Sequence, residues 1–313
     1  MKIKSILGMT AVLCFGLLLM AGGCARRHRT EVKAGTTAAD KSGGAEAGAQ
    51  STAGEQAELS FEAKDEEGID LAEKEEIRRK YTLKPGASVN IHNINGGVKI
   101  ETADTGTAEV LLVRSAKTRE ELTQYRQVMI EQEENSLTIR VESDRKSIFS
   151  AFGKVPEGHQ RVVLKLPRKV DLEVQGVGGA VAIGEIQGRV ELHNINGQLK
   201  IRRIAGETQI SGVNGGVDVC FAPLTGKRIE LNGINGNMDL RFEGEVNADL
   251  TTWGLNGQVN SDLPGLENKD DEGSRGRAKA RIGAGGTQIR VGGANGNLNL
   301  LKAEKAATKV AAK

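Results

Sequence analysis

The sequence predicts an all-β fold. It is a single-chain β-solenoid of coils of about 20 residues with Asn-Gly corners, and an N-terminal strand and hairpin subdomain covers one end. Three observations lead there. First, a twelve-residue unit is apolar at positions 1, 3, 6, 10 and 12 and carries Asn-Gly at 7 and 8. It starts at Val89, Val190, Thr208, Ile229, Leu250 and Ile289, with a further copy at Leu172 in which Gly178-Gly179 replaces Asn-Gly. Second, the copies from Leu172 to Leu250 start 18, 18, 21 and 21 residues apart, and a fixed period of that length is architecture. Third, 41 of the 313 residues are Gly and only 3% are aromatic, so a core must be aliphatic and its turns tight.

Asn-Gly between apolar runs is ordinarily a hairpin signal, but parity rejects a hairpin here. A two-residue turn at Asn196-Gly197 would put Leu192, Leu199 and Ile201 on one face. Ile195 would fall on the other, beside His193 and Lys200. Ile94, Val177, Val213, Ile234, Leu255 and Ala294 would be misplaced in the same way. Two bends per unit remove the conflict. One is at Asn-Gly; the other is at the pair holding Asn194, Gly212 or Gly233, where Gly supplies unusual backbone angles. The corners are then Asn95-Gly96, Asn196-Gly197, Asn214-Gly215, Asn235-Gly236, Asn256-Gly257 and Asn295-Gly296. Stacking in chain order would place Ile195, Val213, Ile234 and Leu255 in one aliphatic ladder. Asn196, Asn214, Asn235 and Asn256 would form an Asn ladder bonded from coil to coil. Thr208, Thr252 and Ser261 are the three polar residues at otherwise apolar positions.

The remaining segments follow in order. Residues 1–23 read as a signal peptide: Lys2 and Lys4, an apolar run over 6–20, then Ala21-Gly22-Gly23 before Cys24. Residues 24–75 are small and polar and read as a tether. Its run Arg26-Arg27-His28-Arg29 suits anionic head groups or bulk water. Residues 76–170 form a β-rich part. It has a strand over 108–115, a polar helix over 118–127, a hairpin over 128–142 turning near Glu134-Asn135, and a strand over 159–167. This part would shield the first end of the stack. Residues 171–301 carry the repeats. Within them, 262–280 turns acidic and then basic without apolar period, as a mobile surface loop does. Residues 302–313 are a basic tail.

The formal charge of +2 gives no polyelectrolyte reason to bind nucleic acid. Removing Lys2 and Lys4 with the signal takes it from +2 to 0. Cys14 leaves with the signal. With Cys24 acylated, Cys220 stands alone and no intramolecular disulfide forms.

Two resemblances add to this reading. Small residues directly before Cys24 resemble a bacterial lipoprotein cleavage box. That implies lipidation of Cys24, a membrane held through the lipid anchor, and an extracytoplasmic protein; Ala25 after Cys24 implies outer-membrane sorting. Then "YTLKPGASVNIHNINGGVKIETADTGTAEVLLVRSAK", "VMIEQEENSLTIRVES", "VVLKLP", the repeats and "RIGAGGTQIRVGGANGNLNL", in that order, resemble the bacterial putative-adhesin domain family over residues 81–300. The resemblance implies a β-solenoid-like envelope domain and brings no catalytic residues.

Little in the sequence points to chemistry. His28, His92, His159 and His193 lack zinc-type spacing with Cys; His92 and His193 share one outward repeat position. A phosphate-binding loop, a nucleophile elbow and the Asp of calcium-binding repeats are all missing. No metal and no cofactor is expected. One row merits attention: four residues after the corner Asn stand Lys200, Asp218 and Asp239, ~4.8 Å apart on successive coils. Such carboxylates can cleave a sugar or hold Ca²⁺, or they form a solvated row in which Lys200 relieves one Asp. Trp253, the single Trp, occupies the outward position of His193, Ser211 and Asn232. It either stacks on a sugar ring or a partner, or packs under the 262–280 loop. The function expected is a non-enzymatic envelope lipoprotein offering a surface for adhesion, scaffolding or envelope sensing. That surface would meet an envelope glycan or envelope protein around Trp253, Asp218, Asp239 and Lys200. The alternative is a carbohydrate-active enzyme using Asp218 and Asp239.

Overall fold

The computed structural model describes residues 73–124, 127–142, 158–264, 266–269 and 277–303. The signal peptide, Cys24, the tether up to residue 72 and the tail beyond Ala303 lie outside the described residues; the last three residues read as tether, 73–75, instead begin a strand paired with 114–116. The N-terminal elements are β1 (Glu73–Thr82), β2 (Ala87–His92), β3 (Val98–Ala103), β4 (Thr107–Ala116), α1 (Arg119–Gln124), β5 (Gln127–Glu133), β6 (Ser136–Glu142) and β7 (Gly158–Pro167). The repeats give β8 (Val170–Val177), β9 (Val181–Ile186), β10 (Val190–Ile195), β11 (Leu199–Ile204), β12 (Thr208–Val213), β13 (Val217–Phe221), β14 (Ile229–Ile234), β15 (Met238–Phe242), β16 (Ala248–Trp253) and β17 (Val259–Ser261). Then come β18 (Leu266–Lys269), β19 (Ala278–Ile282), β20 (Thr287–Gly292) and β21 (Leu298–Lys302).

The strands make two sheets. One has ten strands in the order β1-β4-β7-β3-β9-β11-β13-β15-β21-β17. The other has eleven, in the order β18-β19-β16-β20-β14-β12-β10-β8-β2-β6-β5. Each copy of the unit sends its first half to the larger sheet and its second half to the smaller. Equivalent positions pair in parallel: Val190 with Leu172 and Thr208, and Leu199 with Val181 and Val217. The inward residues of both sheets form one aliphatic core.

The parity problem is solved at position 5. That residue has a left-handed φ in every copy: Asn93 60°, Gly176 70°, Asn194 57°, Gly212 65°, Gly233 66°, Gly254 60° and Gly293 57°. It drops out of the ladder, so His193 pairs with Ser211 and the next pair is Ile195 with Val213. One unpaired residue reverses the face of the next. Leu192 and Ile195 are therefore both buried. Gly and Asn hold this position because they reach left-handed φ at least cost.

The Gly at position 8 has a different cause. Left-handed φ occurs there only at Gly96 and Gly296. A Cβ on Gly197 would stand 2.6 Å from the carbonyl carbon of Gly179, and one on Gly215 2.3 Å from the oxygen of Gly197. Gly236, Gly296 and Gly257 continue the column, each with a neighbouring carbonyl oxygen 2.1–2.3 Å from where its Cβ would lie. Each Gly lets one unit's backbone rest against the next. Beside this column, Asn214 Nδ2 donates to Asn196 Oδ1 at 3.0 Å and Asn235 Nδ2 to Asn214 Oδ1 at 3.1 Å.

Three features depart from the sequence expectation. Stacking does not follow chain order at the C-terminal end. β20 and β21 lie between β14–β15 and β16–β17, so Asn295, not Asn256, bridges to Asn235. Asn256 Nδ2 in turn donates to Asn295 Oδ1 at 3.4 Å. Ala294 thus separates Ile234 from Leu255 in the aliphatic ladder. Next, the segment expected as a loop carries β18 and β19; β19 runs antiparallel to β16 and buries Ala280 and Ile282. Finally, β6 and β7 extend the stack as a further unit without Asn-Gly. Leu137 and Ile139 pair with Val89 and Ile91, and Val162 and Leu164 pair with Val98 and Ile100. The hairpin turn at Glu134-Asn135 lies where expected, and the helix is shorter than expected: α1 ends at Gln124 and β5 begins at Gln127.

Of the repeats' inward positions, only Leu255, Val259 and Ser261 escape full burial. All belong to the unit that ends the ten-stranded sheet. Two of the three polar exceptions, Thr252 and Ser261, fall in this same unit, as a terminal repeat allows. Its edge strand β17 is only three residues long, which limits pairing with other chains.

Gly197→Ala should lower stability by about 1–3 kcal/mol, the usual cost of overpacking. Gly216, whose Cβ would meet nothing closer than 3.8 Å, should tolerate Ala within about 0.5 kcal/mol. Urea unfolding of the two variants side by side checks the difference.

Candidate functional site

The Lys200 row lies on the outer face of the ten-stranded sheet. Lys200 pairs with Asp218, Asp218 with Asp239, Asp239 with Asn299, and Asn299 with Asn260. Arg241 follows Asp239 by two residues and so shares its face. Its guanidinium bonds Asp218 Oδ1 and lies 3.6 Å from Asp239 Oδ2. Asn299 Nδ2 donates to Asp239 Oδ1 at 2.7 Å, and Asn260 Nδ2 to Asn299 Oδ1 at 2.9 Å. The two carboxylates are therefore brought together and bound to protein partners. Among the described residues Lys200 makes no ion pair; Arg241 is the cation that relieves Asp218. Sequence reading overlooked Arg241, although the two-residue alternation of a strand was the signal for it.

A second chain of charges runs along the same sheet. Arg168 joins Asp104 to Glu185, and Arg203 joins Glu185 to Glu243. Arg203 Nε reaches both Glu243 oxygens at 3.0 Å, and Nη1 reaches Glu185 at 2.8 Å. Burial works against the Arg203 cation, but the bonds and charges of Glu243 and Glu185 outweigh it and raise its pKa. Cys220 is half-buried in the register position next to Arg241. Burial first, and then the Glu243 charge, push its thiol above the usual range, with Arg203 opposing. That is the setting of an inert thiol.

On the outer face of the eleven-stranded sheet, one row runs His92, Gln175, His193, Ser211, Asn232, Gly292, Trp253. His193 Nδ1 and Ser211 Oγ are 2.6 Å apart. Trp253 is 37% exposed, the one large exposed apolar side chain among the described residues. Its indole lies across Gly292: a Cβ there would stand 2.1 Å from Cε2 and 2.5 Å from Nε1. The absent side chain of the neighbouring strand is the seat of the ring.

The structure brings Lys200, Asp218 and Asp239 into one row and leaves Trp253 on the opposite sheet. A shallow depression of about 210 Å³ lies on the Trp253 sheet, lined by Ser88, Asn90, Asp171, Glu173, Arg189 and Glu191. Among the described residues, no group of three or more His, Cys, Asp or Glu is placed to hold a metal. No described helix is long and apolar enough to cross a membrane.

No family model matches the chain, and no curated protein matches it. Similar solved structures include one described as a putative cell adhesion protein from Clostridium sporogenes. It shares 12% identity over 73% of this chain and 100% of that one, with a TM-score of 0.38. Another is a putative adhesin from Bacteroides fragilis, with 12% identity over 72% and 97% of the two chains and a TM-score of 0.32. A third, from Parabacteroides merdae, is also described as a putative adhesin; it shares 9% identity over 73% and 96%, with a TM-score of 0.25. These neighbours are of the class that the sequence resembles.

Arg241→Gln should lower stability by about 1 kcal/mol, because it leaves Asp218 and Asp239 facing each other across adjacent strands. Asp218→Asn should recover most of that loss. A double-mutant cycle in urea checks the coupling.

Proposed function

We propose that the chain is a non-enzymatic, extracytoplasmic lipoprotein of the bacterial cell envelope, anchored through Cys24. Its repeats form a β-solenoid turning at the Asn-Gly corners, and its N-terminal strands cover one end. The solenoid presents a rigid surface to an envelope glycan or an envelope protein, in adhesion or scaffolding. Outer-membrane sorting follows from Ala25 after Cys24. Parallel pairing of equivalent repeat positions supports the solenoid reading.

The observation that carries the binding reading is the seat of Trp253. Trp253 keeps 37% of its surface exposed on a flat β face, with its indole laid across Gly292 of the neighbouring strand. A ring fixed in that way loses little freedom when a partner covers it.

The enzymatic alternative has one observation in its favour, the carboxylates on adjacent strands, ~4.8 Å apart by strand spacing. Arg241 and Asn299 already hold one oxygen of each, whereas a sugar-cleaving pair must be open to substrate and water. That weighs for the binding surface.

The test is binding of the full-length protein to purified peptidoglycan, envelope polysaccharide and whole cells. Trp253→Ala should weaken binding about tenfold, as loss of an aromatic anchor does. Asp218→Asn/Asp239→Asn should bind normally, and no polymer should shorten with either protein. Polymer shortening by the wild type that the double Asp variant loses would replace this reading with the enzymatic one.

A further inference from the structure

The departure from chain order changes what surrounds Trp253. β16 ends on Trp253 and lies between β20 and β19. Outward positions are Asp249, Thr251 and Trp253 on β16, Gln288, Arg290 and Gly292 on β20, and Lys279 and Arg281 on β19. Thr251 is level with Arg290 on one side and with Lys279 on the other. The antiparallel register, carried one residue further, sets Arg277 opposite Trp253. Arg277, Lys279 and Arg290 are all exposed. None makes an ion pair with a described residue, in contrast to Arg281, which bonds Asp249 at 3.3 Å. On the outer strand β18, the backbone register places Lys269 level with Lys279 and Glu267 level with Arg281.

Toward the other end of the sheet, the row that holds Arg290 becomes acidic. Glu230 is level with Arg290, followed by Gln209, Glu191 and Glu173. The cationic ground thus covers β20, β16 and β19, two strand spacings or about 10 Å, and an acid bounds it. Among the described residues these three cations have no ion-pair partner, and together they favour an anion. A neutral ligand would gain hydrogen bonds from them, but an anion gains stronger, charge-assisted ones. An acidic glycan chain must therefore run along the strands, because one laid across the sheet would meet Glu230, Glu191 and Glu173. The size and charge fit one ring with an acidic group attached.

We infer that Trp253, Arg290, Lys279 and Arg277 form a binding site for an acidic sugar, carboxylated or phosphorylated, within an envelope glycan. The indole takes the C–H face of the sugar ring. Arg290 or Arg277 takes the anionic group through paired N–H donors, and Lys279 adds a point charge. This rests on the reading of Trp253 as the centre of a binding surface, and names its ligand class.

The test uses the full-length protein against polygalacturonate, a phosphomannan, neutral dextran, phosphatidylglycerol vesicles and an oligothymidylate, read by Trp fluorescence and co-sedimentation. Saturable binding to polygalacturonate or phosphomannan is expected, weakening as salt rises, with dextran unbound. Comparing those two polymers separates a carboxylate from a phosphate as the anion. Arg290→Gln/Lys279→Gln should weaken binding about tenfold, as loss of charge-assisted contacts does. Both side chains are exposed, and unchanged circular dichroism would show that the variant folds. Dextran bound as well as the acidic glycans, with no effect of the double variant, would overturn the acidic-sugar inference and leave the Trp253 surface standing. Tighter binding to vesicles or to oligothymidylate that Arg290→Gln/Lys279→Gln weakens would overturn it in favour of a membrane or a nucleic acid; vesicle binding that the double variant keeps belongs to the Cys24 anchor. Failure to bind either acidic glycan would overturn it as well, and if whole cells were also unbound the surface reading would fall with it.

Discussion

The structure depends on the approach of one Asn-Gly backbone to the next. At Gly179, Gly197, Gly215, Gly236, Gly296 and Gly257 the space of a methyl group is taken by the neighbouring unit's backbone. That closeness lets the parallel ladders of both sheets keep one register along the stack. It also brings the neighbouring Asn side-chain amides within hydrogen-bond reach of each other. Equivalent residues then fall in columns, and most inward columns are aliphatic. The core contains few aromatic rings; Phe221 and Phe242 stack within it, 5.4 Å apart. Each buried aliphatic contributes roughly 1.5–3 kcal/mol, and the ordering of short strands offsets most of it.

Much of this was legible in the sequence because parity is a strict rule. The misplaced Ile195 and its equivalents required a second irregularity, and it lies at Asn194, Gly212 and Gly233 with left-handed φ. The cause of the glycines at position 8 was not legible. A Gly selected by a neighbour's carbonyl oxygen looks the same in sequence as one selected by its own φ. Stacking order was hidden for a related reason. The units starting at Ile229, Leu250 and Ile289 present the same apolar pattern, so each fits beside either of the others, and nothing local says that the last enters between the first two. β18 and β19 were missed because the segment is rich in charge and β19 buries only Ala280 and Ile282, too few for a visible period. β6 and β7 were missed as a unit because residues 143–157 separate its halves and its corner has no Asn-Gly.

The two outer faces differ in how their charges are satisfied. On the ten-stranded sheet, ions are matched: Arg241 serves Asp218 and Asp239, and Arg168 and Arg203 alternate with Asp104, Glu185 and Glu243. Such a face is complete without a partner. On the eleven-stranded sheet, Arg290, Lys279 and Arg277 flank Trp253 without counter-ions among the described residues. The candidate site was half legible. Trp253 stood out as the single Trp, but its cationic neighbours come from a segment read as a loop and from a unit read as lying beyond it. Their meeting is a consequence of stacking order, so the binding reading and the fold rest on the same topological fact.

That fact has a direct test. In a chain with Cys14, Cys24 and Cys220 replaced by Ser, two cysteine pairs are compared under oxidation: Asp239→Cys with Asn299→Cys, and Asp239→Cys with Asn260→Cys. Adjacent strands put Cα atoms about 4.8 Å apart, within disulfide reach, while a strand two places away is about 10 Å distant and out of reach. Asp239 and Asn299 are paired neighbours, and Asn260 lies beyond Asn299. A disulfide in the first pair and none in the second is expected. The reverse result would mean that the units stack in chain order, and would contradict both the fold and the site built on it.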